Sequence, residues 1–490
     1  MGKGSRKREF RQKQLKMLRR ERERKLEDRR RLIKTIVVSG IVVVAIAVVI
    51  AGAILINDAI LDSGILLRNK VAISSEHYQV DNAMVSYFLN ATYKSYSNYY
   101  GASLSYYLDP DKPLKSQYYD NSTTWFDYFL SAAENTVNDL LVSAEGAHEA
   151  SIGLTEQEHQ AIDTYLSNRD ESMFGRGVKT DDVRKCLELM TLAYKFENSV
   201  VNDAMPTVEE IEKYYTENED DFLLVDYVYY AIRYDDDNDS RFDSDEAEEF
   251  AKELASVGTV KEFEVWIRDF VDEYPAFVYE DDPDKAVENA HMEKIPLNED
   301  MELLKWAFDE ATEVGDTYFY NDKDEEEYII ALLVKAPYRD EEVTKSVRHI
   351  LISADTAGSD EAASLHAAEV LSGWENGKAD EESFGLLALA YSEDTGSSMN
   401  GGLYQNFALG AMTEEFEEWS FDETREVGDT GIVKTNFGYH IMYFCGDGLL
   451  KYQADIVDII TQEALADRID ELSEKYSVTV DSDALQDIYE

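Results

Sequence analysis

Residues 419–430 read WSFDETREVGDT, and residues 306–317 read WAFDEATEVGDT. Nine of these 12 positions are identical at an offset of 113 residues, so one segment has been copied. The flanks follow the same plan. DEAEEFAKELA and EAASLHAAEVL both carry apolar residues at helical spacing, as do KEFEVWIRDF and ESFGLLALAYS. DEEEYIIALLV and NFGYHIMYFCG close the two copies with strand-forming residues, and VDYVYYAIRY opens the first copy in the same style. A period of about 110 residues with only two copies indicates duplicated domains rather than a solenoid. They are expected at 223–340 and 341–448.

Ahead of the copies the pattern is helical. VDNAMVSYFLNATYKSY and TWFDYFLSAAENTVNDLLVSAEGAHEA space their apolar residues by three and four, and Thr155 with Glu158 and Thr207 with Glu210 have capping-box spacing. A helical domain is expected over 70–222, and a helix with a short strand-like SVTV over 449–490.

The chain has 490 residues, 47 Lys and Arg against 101 Asp and Glu, and a formal net charge of −54. Hydrophobic residues make up 44% and aromatics 12%, which argues against disorder. The average hides a split: residues 1–34 hold 16 basic and 5 acidic groups, leaving 31 and 96 for residues 35–490. Residues 36–56 carry no charge, and 21 residues at about 1.5 Å each match the roughly 30 Å hydrocarbon core. The expectation is a basic cytoplasmic arm at 1–34, a single transmembrane helix at 35–57 and an acidic body outside the cell membrane. Such a body is a poor partner for nucleic acid. Two isolated cysteines, Cys186 and Cys445, exclude a disulfide scaffold and a cysteine zinc cluster.

The chemistry concentrates in the second copy. It contains RHILIS at 348–353, LALAYSEDTGSSMNGGLYQNF at 387–407, AMTEEF at 411–416 and VGDTGIVKTNFGYHIMYF at 427–444. These ordered motifs resemble the parvulin-type peptidyl-prolyl isomerases. The resemblance implies an α+β fold, a four-stranded antiparallel sheet with surrounding helices, binding a Xaa-Pro segment in a shallow apolar groove. It implies catalytic roles for His349, His440, Asp394 and Thr435, and a substrate pocket that includes Leu403, Met412, Phe416 and Phe437. The sequence departs from the family pattern at Gly402-Leu403, where an Asp usually intervenes, and at Phe437.

The residue types suit the chemistry. Rotation about a peptide bond has a barrier of about 18–20 kcal/mol, and Xaa-Pro exchange is slow enough to limit folding. A catalyst must favour the twisted amide with an apolar seat for the ring and a preorganised polar environment for the carbonyl; no nucleophile, cofactor or metal is called for. In the first copy Tyr stands where His349 would be and Ile329 stands opposite His440; its His291 is expected in a loop. That copy is expected to be silent. A helical part, a degenerate copy and an intact copy beyond a membrane segment resemble the SurA/PrsA group of secretion foldases, in which the helical part is chaperone-like and the C-terminal segment can return to complete it.

The expected function is a membrane-anchored, extracytoplasmic prolyl isomerase acting on unfolded exported polypeptides. The alternative is a non-catalytic chaperone or scaffold whose copies are peptide-binding modules. The acidic stretch at 235–246 has calcium-loop spacing but Ser240 in place of the turn glycine, and is read as a solvated loop capping the next helix.

Overall fold

The computed structural model describes residues 54–235, 242–394 and 396–489. The arm at 1–34 and all but the last four residues of the expected span at 35–57 lie outside the described residues, as does the centre of the acidic loop. Among the described residues no helix is long and apolar enough to cross a membrane.

The chain divides into two compact units. One comprises the described residues up to Leu141, Arg169–Leu187 and the stretch from Ser477 onward. It holds strands β1 (Val71–Ser74) and β2 (Gln79–Asp81), helix α1 (Asn82–Tyr100), most of α2 (Trp125–Glu149), and, near the end of the chain, β11 (Thr479–Val480). Asp81 ends β2 and caps α1, accepting from the N–H groups of Ala83 and Met84 at 3.0 and 3.1 Å. The three strands form an antiparallel sheet in the order β11-β1-β2. Asp481 N–H donates to Ala72 O at 2.8 Å, and the buried Asn82 Nδ2 donates to Ala484 O at 2.6 Å. Strands β1 and β2 were not expected within 70–222, because four and three residues leave no alternation to read, whereas the third strand falls in the strand-like SVTV.

The second unit, Val142–Asn168 and Glu188–Tyr476, begins with helices. These are α3 (Glu156–Ser167), the later part of α4 (Thr180–Asp203) and α5 (Val208–Glu217). Both expected capping boxes form: Thr155 N–H donates to Glu158 Oε2 at 2.6 Å and Thr207 N–H to Glu210 Oε2 at 2.8 Å.

Two four-stranded antiparallel sheets follow. The first contains β3 (Leu223–Arg233), β4 (His291–Pro296), β5 (Thr317–Asp322) and β6 (Glu327–Arg339), with helices α6 (Ser244–Leu254), α7 (Val260–Glu273), α8 (Pro283–Ala290) and α9 (Glu302–Ala307). The second contains β7 (Val343–Ile352), β8 (Leu403–Phe407), β9 (Thr430–Thr435) and β10 (Gly438–Leu450). Its helices are α10 (Ala354–Ala357), α11 (Asp360–Glu375), α12 (Glu381–Tyr391) and α13 (Glu414–Ser420), and α14 (Lys451–Lys475) leads away from it. The strand orders, β4-β3-β6-β5 and β8-β7-β10-β9, describe the same topology.

The repeated EVGDT explains why both sheets close alike. Glu313 N–H donates to Asp316 Oδ2 and Glu426 N–H to Asp429 Oδ2, each at 2.9 Å. Gly315 and Gly428 both have φ +94°, a conformation that favours glycine. Their N–H groups donate to Leu333 O and Phe444 O, both at 2.9 Å. The motif is a turn that sets the third strand against the last.

Alternation sorts the second sheet into two faces. Ile350, Ile352, Ile441 and Tyr443 pack against Ala363, Ala367 and Phe384 of α11 and α12. Val347, Met442 and Phe444 face the other way, toward Phe407 and Phe416. One sequence expectation is corrected here: His291 is the first residue of β4, not part of a loop, because α8 ends at Ala290 and runs straight into the strand. Its Nε2 lies 3.0 Å from Glu264 Oε1. The visible end of the acidic loop caps α6, Asp243 Oδ1 accepting from Glu246 N–H at 2.8 Å.

Candidate functional site

His349 on β7 lies opposite Met442 in the ladder, and His440 on β10 lies opposite Leu351. The two histidines are therefore diagonal neighbours on the face shared with Val347 and Phe416. Both are buried, with 3% and 7% of their surface exposed, and their Nδ1 atoms are 3.0 Å apart.

The surrounding partners assign the protons. His349 Nε2 lies 2.9 Å from Asp394 Oδ2, and an ionised carboxylate only accepts, so Nε2 carries a proton. If each ring carries one proton, His349 Nδ1 accepts from His440 Nδ1. His440 Nε2 then accepts from Thr435 Oγ1 at 2.8 Å, and Thr435 Oγ1 accepts from Phe437 N–H at 3.1 Å. Ser397 Oγ and Tyr404 Oη both donate to Asp394 Oδ2, the latter at 3.1 Å. Every polar atom from Phe437 N–H to the carboxylate has a partner, and all the donors point one way.

Burial and neighbouring groups shift three members of this network. Burial pushes the Asp394 carboxyl up, but hydrogen bonds from His349 and Ser397 outweigh it and hold the group well below the usual carboxylate range. Burial, reinforced by the neighbouring His349, lowers His440 to about 4. Burial and then the Asp394 charge push Tyr404 up to about 12, so its hydroxyl stays a donor.

Above the histidines lies a cavity of about 360 Å³. Met412, Phe416 and Phe437 line its apolar side, with His349, His440 and Asp394 on its polar side. The Phe416 ring meets His349 and His440 edge-on at centroid distances of 5.5 and 5.6 Å. Phe437 is 60% exposed, so it forms the rim. Leu403 does not line this cavity; Tyr404 does. The reason is strand alternation: Leu403 pairs with Arg348, whereas Tyr404 pairs with Val347 and shares the face of His349.

Ser397 and Tyr404 are the functional candidates that sequence reasoning passed over. Ser397 follows Asp394 by three residues in a turn, and Tyr404 is the strand residue next to the one selected. The turn is clamped from behind: His349 N–H donates to Gly402 O at 2.8 Å. Gly402 has φ +73°, and a Cβ there would sit 2.1 Å from His349 O, so no side chain fits.

The first sheet keeps the frame without these groups. Ile232 pairs with Tyr328 as Ile352 pairs with Tyr439. On that register Tyr229 occupies the place of His349 and Ile329 that of His440. Among the described residues no group of three or more His, Cys, Asp or Glu side chains is placed to hold a metal ion.

Residues 332–445 match the family model described as the PPIC-type PPIASE domain. This part of the chain is a parvulin-type domain. Foldase protein PrsA 3 of Bacillus cereus is 36% identical over 107 residues, covering 22% of this chain and 37% of that protein. Foldase protein PrsA 1 of Listeria monocytogenes is 38% identical over 109 residues, covering 22% and 33%. The chain thus spans about a third of the length of these relatives. A crystal structure of peptidylprolyl isomerase (PrsA) from Bacillus anthracis aligns with 47% of this chain and 94% of its own at 18% identity, but with a TM-score of 0.19.

Proposed function

We propose that this protein is a peptidyl-prolyl cis/trans isomerase that assists the folding of exported polypeptides outside the cell membrane. The observation that carries the reading is the continuous network Thr435–His440–His349–Asp394 beneath an apolar cavity, inside the segment that matches the PPIC-type model. Met412, Phe416 and Phe437 would seat the proline ring, while the buried histidines offer the carbonyl a polar surroundings fixed in advance. A twisted amide has lost its resonance and gains most from that arrangement; a planar one gains less. No bond is made or broken.

The proposed organisation has an arm at 1–34, a transmembrane helix at 35–57, a chaperone-like helical part within 70–222 completed from 449–490, a degenerate copy at 223–340 and the working copy at 341–448. The partners are unfolded or partly folded chains bearing Xaa-Pro bonds. The full chain in detergent micelles should accelerate cis/trans exchange of a Xaa-Pro peptide. Exchange at the uncatalysed rate would remove the reading. The second reading, a chaperone using the copies as binding modules, is favoured by the first copy's intact frame and missing histidines. It requires suppression of client aggregation to survive removal of both His349 and His440.

A further inference from the structure

The turn at 396–402 presses Ser397 and Gly402 against His349 from one side. Its other side is held by residues that belong to neither copy. Met399 packs on Ala161 of α3, together with Leu389 and Ala390 of α12. The next residue, Asn400, accepts at Oδ1 a hydrogen bond from Tyr194 Oη on α4. Burial pushes the Tyr194 hydroxyl up to about 12, so it keeps the proton it donates.

Asn400 is tied inward at three further points. Its Nδ2 donates to Leu403 O at 3.2 Å, its N–H donates to Ser397 O at 2.9 Å, and its own carbonyl accepts from Arg348 Nη1 at 2.9 Å. Arg348 Nη1 also donates to Gly401 O at 3.0 Å, and Arg348 directly precedes His349 on β7. A rotation of the Asn400 amide would therefore release its bond to Leu403 O, the residue directly after Gly402.

We propose that Tyr194 is a positioning residue for the isomerase site: from a helix outside the parvulin-type segment, its hydroxyl fixes Asn400 and so the turn that holds Ser397 and Gly402 against His349. This rests on the isomerase reading of the site. It makes the helical part a working component of the site rather than only a cradle for clients.

The test compares the full chain with Tyr194→Phe, Asn400→Ala and the double variant. Tyr194→Phe keeps the ring and removes only the hydroxyl. The expected result is a fall in kcat of about three- to tenfold, the scale of one neutral hydrogen bond, with KM within about twofold because the cavity walls are untouched. The ring nitrogen NMR signals of His349 and His440 should shift, and the double variant should be no worse than Asn400→Ala alone, which also removes the bond to Leu403 O. Asn400→Ala approaches the same bond from the other side and decides the matter if Tyr194→Phe proves unstable. Wild-type kcat with unmoved ring signals in both single variants would overturn the proposal, as would losses that multiply in the double variant. If the wild-type chain does not isomerise, the isomerase reading falls, and the ring signals alone still show whether Tyr194 holds the turn.

Discussion

His440 shows how a single buried side chain links chemistry to stability. Its ordinary value of 6.5 falls to about 4 in the folded chain, chiefly through burial. A group whose folded value is depressed by burial of its neutral form is protonated first in the unfolded chain. Its contribution is therefore intact above about pH 6.5 and is lost as pH falls toward 4, by about 3 kcal/mol at pH 4. Thermal melting between pH 7 and 4 should show this loss in the second unit, and His440→Gln should lack it; equal pH slopes in the two proteins would contradict the assignment. Tyr404 and Leu403 give a second comparison. Tyr404→Phe removes a hydrogen bond to an ionised carboxylate and should slow isomerisation about tenfold, whereas Leu403→Ala should change it less than about twofold. Peptide kinetics on the two variants separate them, and the reverse order would restore Leu403 to the pocket. His349, Asp394, Thr435 and His440 could be named from the resemblance to the parvulin-type isomerases because each sits in one of its ordered motifs. Tyr404 could not, because the departure at Gly402-Leu403 leaves the register of β8 open by one residue, and one residue in a strand reverses the face.

At the scale of elements, the duplicated EVGDT was readable because it does the same work twice, joining a short helix to the third strand through an Asp-capped turn and a glycine at φ +94°. The strands of the second copy were readable for a similar reason: β7 and β10 are long and dense in β-branched and aromatic residues. The small sheet β11-β1-β2 was not, since its strands are short and its third member lies about 400 residues away in sequence. Gly402 carries the tightest local demand in the site. Gly402→Ala places a methyl group against His349 O in a left-handed backbone conformation, at a cost of about 2 kcal/mol or more. The expected outcome is a lower melting temperature together with lost isomerisation. A fully active Gly402→Ala protein would mean that the turn does not position His349.

Over the whole molecule, the chain divides into two compact units. The chain end is committed to the first: Thr479 and Val480 extend the sheet beside β1, and Asp481 and Ala484 hold Ala72 and Asn82. Removing residues 477–490 should leave a paired edge open and a buried amide without its partner. A lower melting transition for the first unit with unchanged isomerisation by the second is expected; simultaneous loss of both would show that the units do not act separately. The two sheets share one topology and differ in the pair of positions that matter, His349 and His440 against Tyr229 and Ile329. The most direct test is exchange NMR on a Xaa-Pro peptide with the full chain, the His349→Ala/His440→Ala variant and the Tyr229→Ala variant. The account predicts catalysed exchange that vanishes in the double histidine variant and persists in Tyr229→Ala. Catalysed exchange that survives loss of both histidines would contradict it.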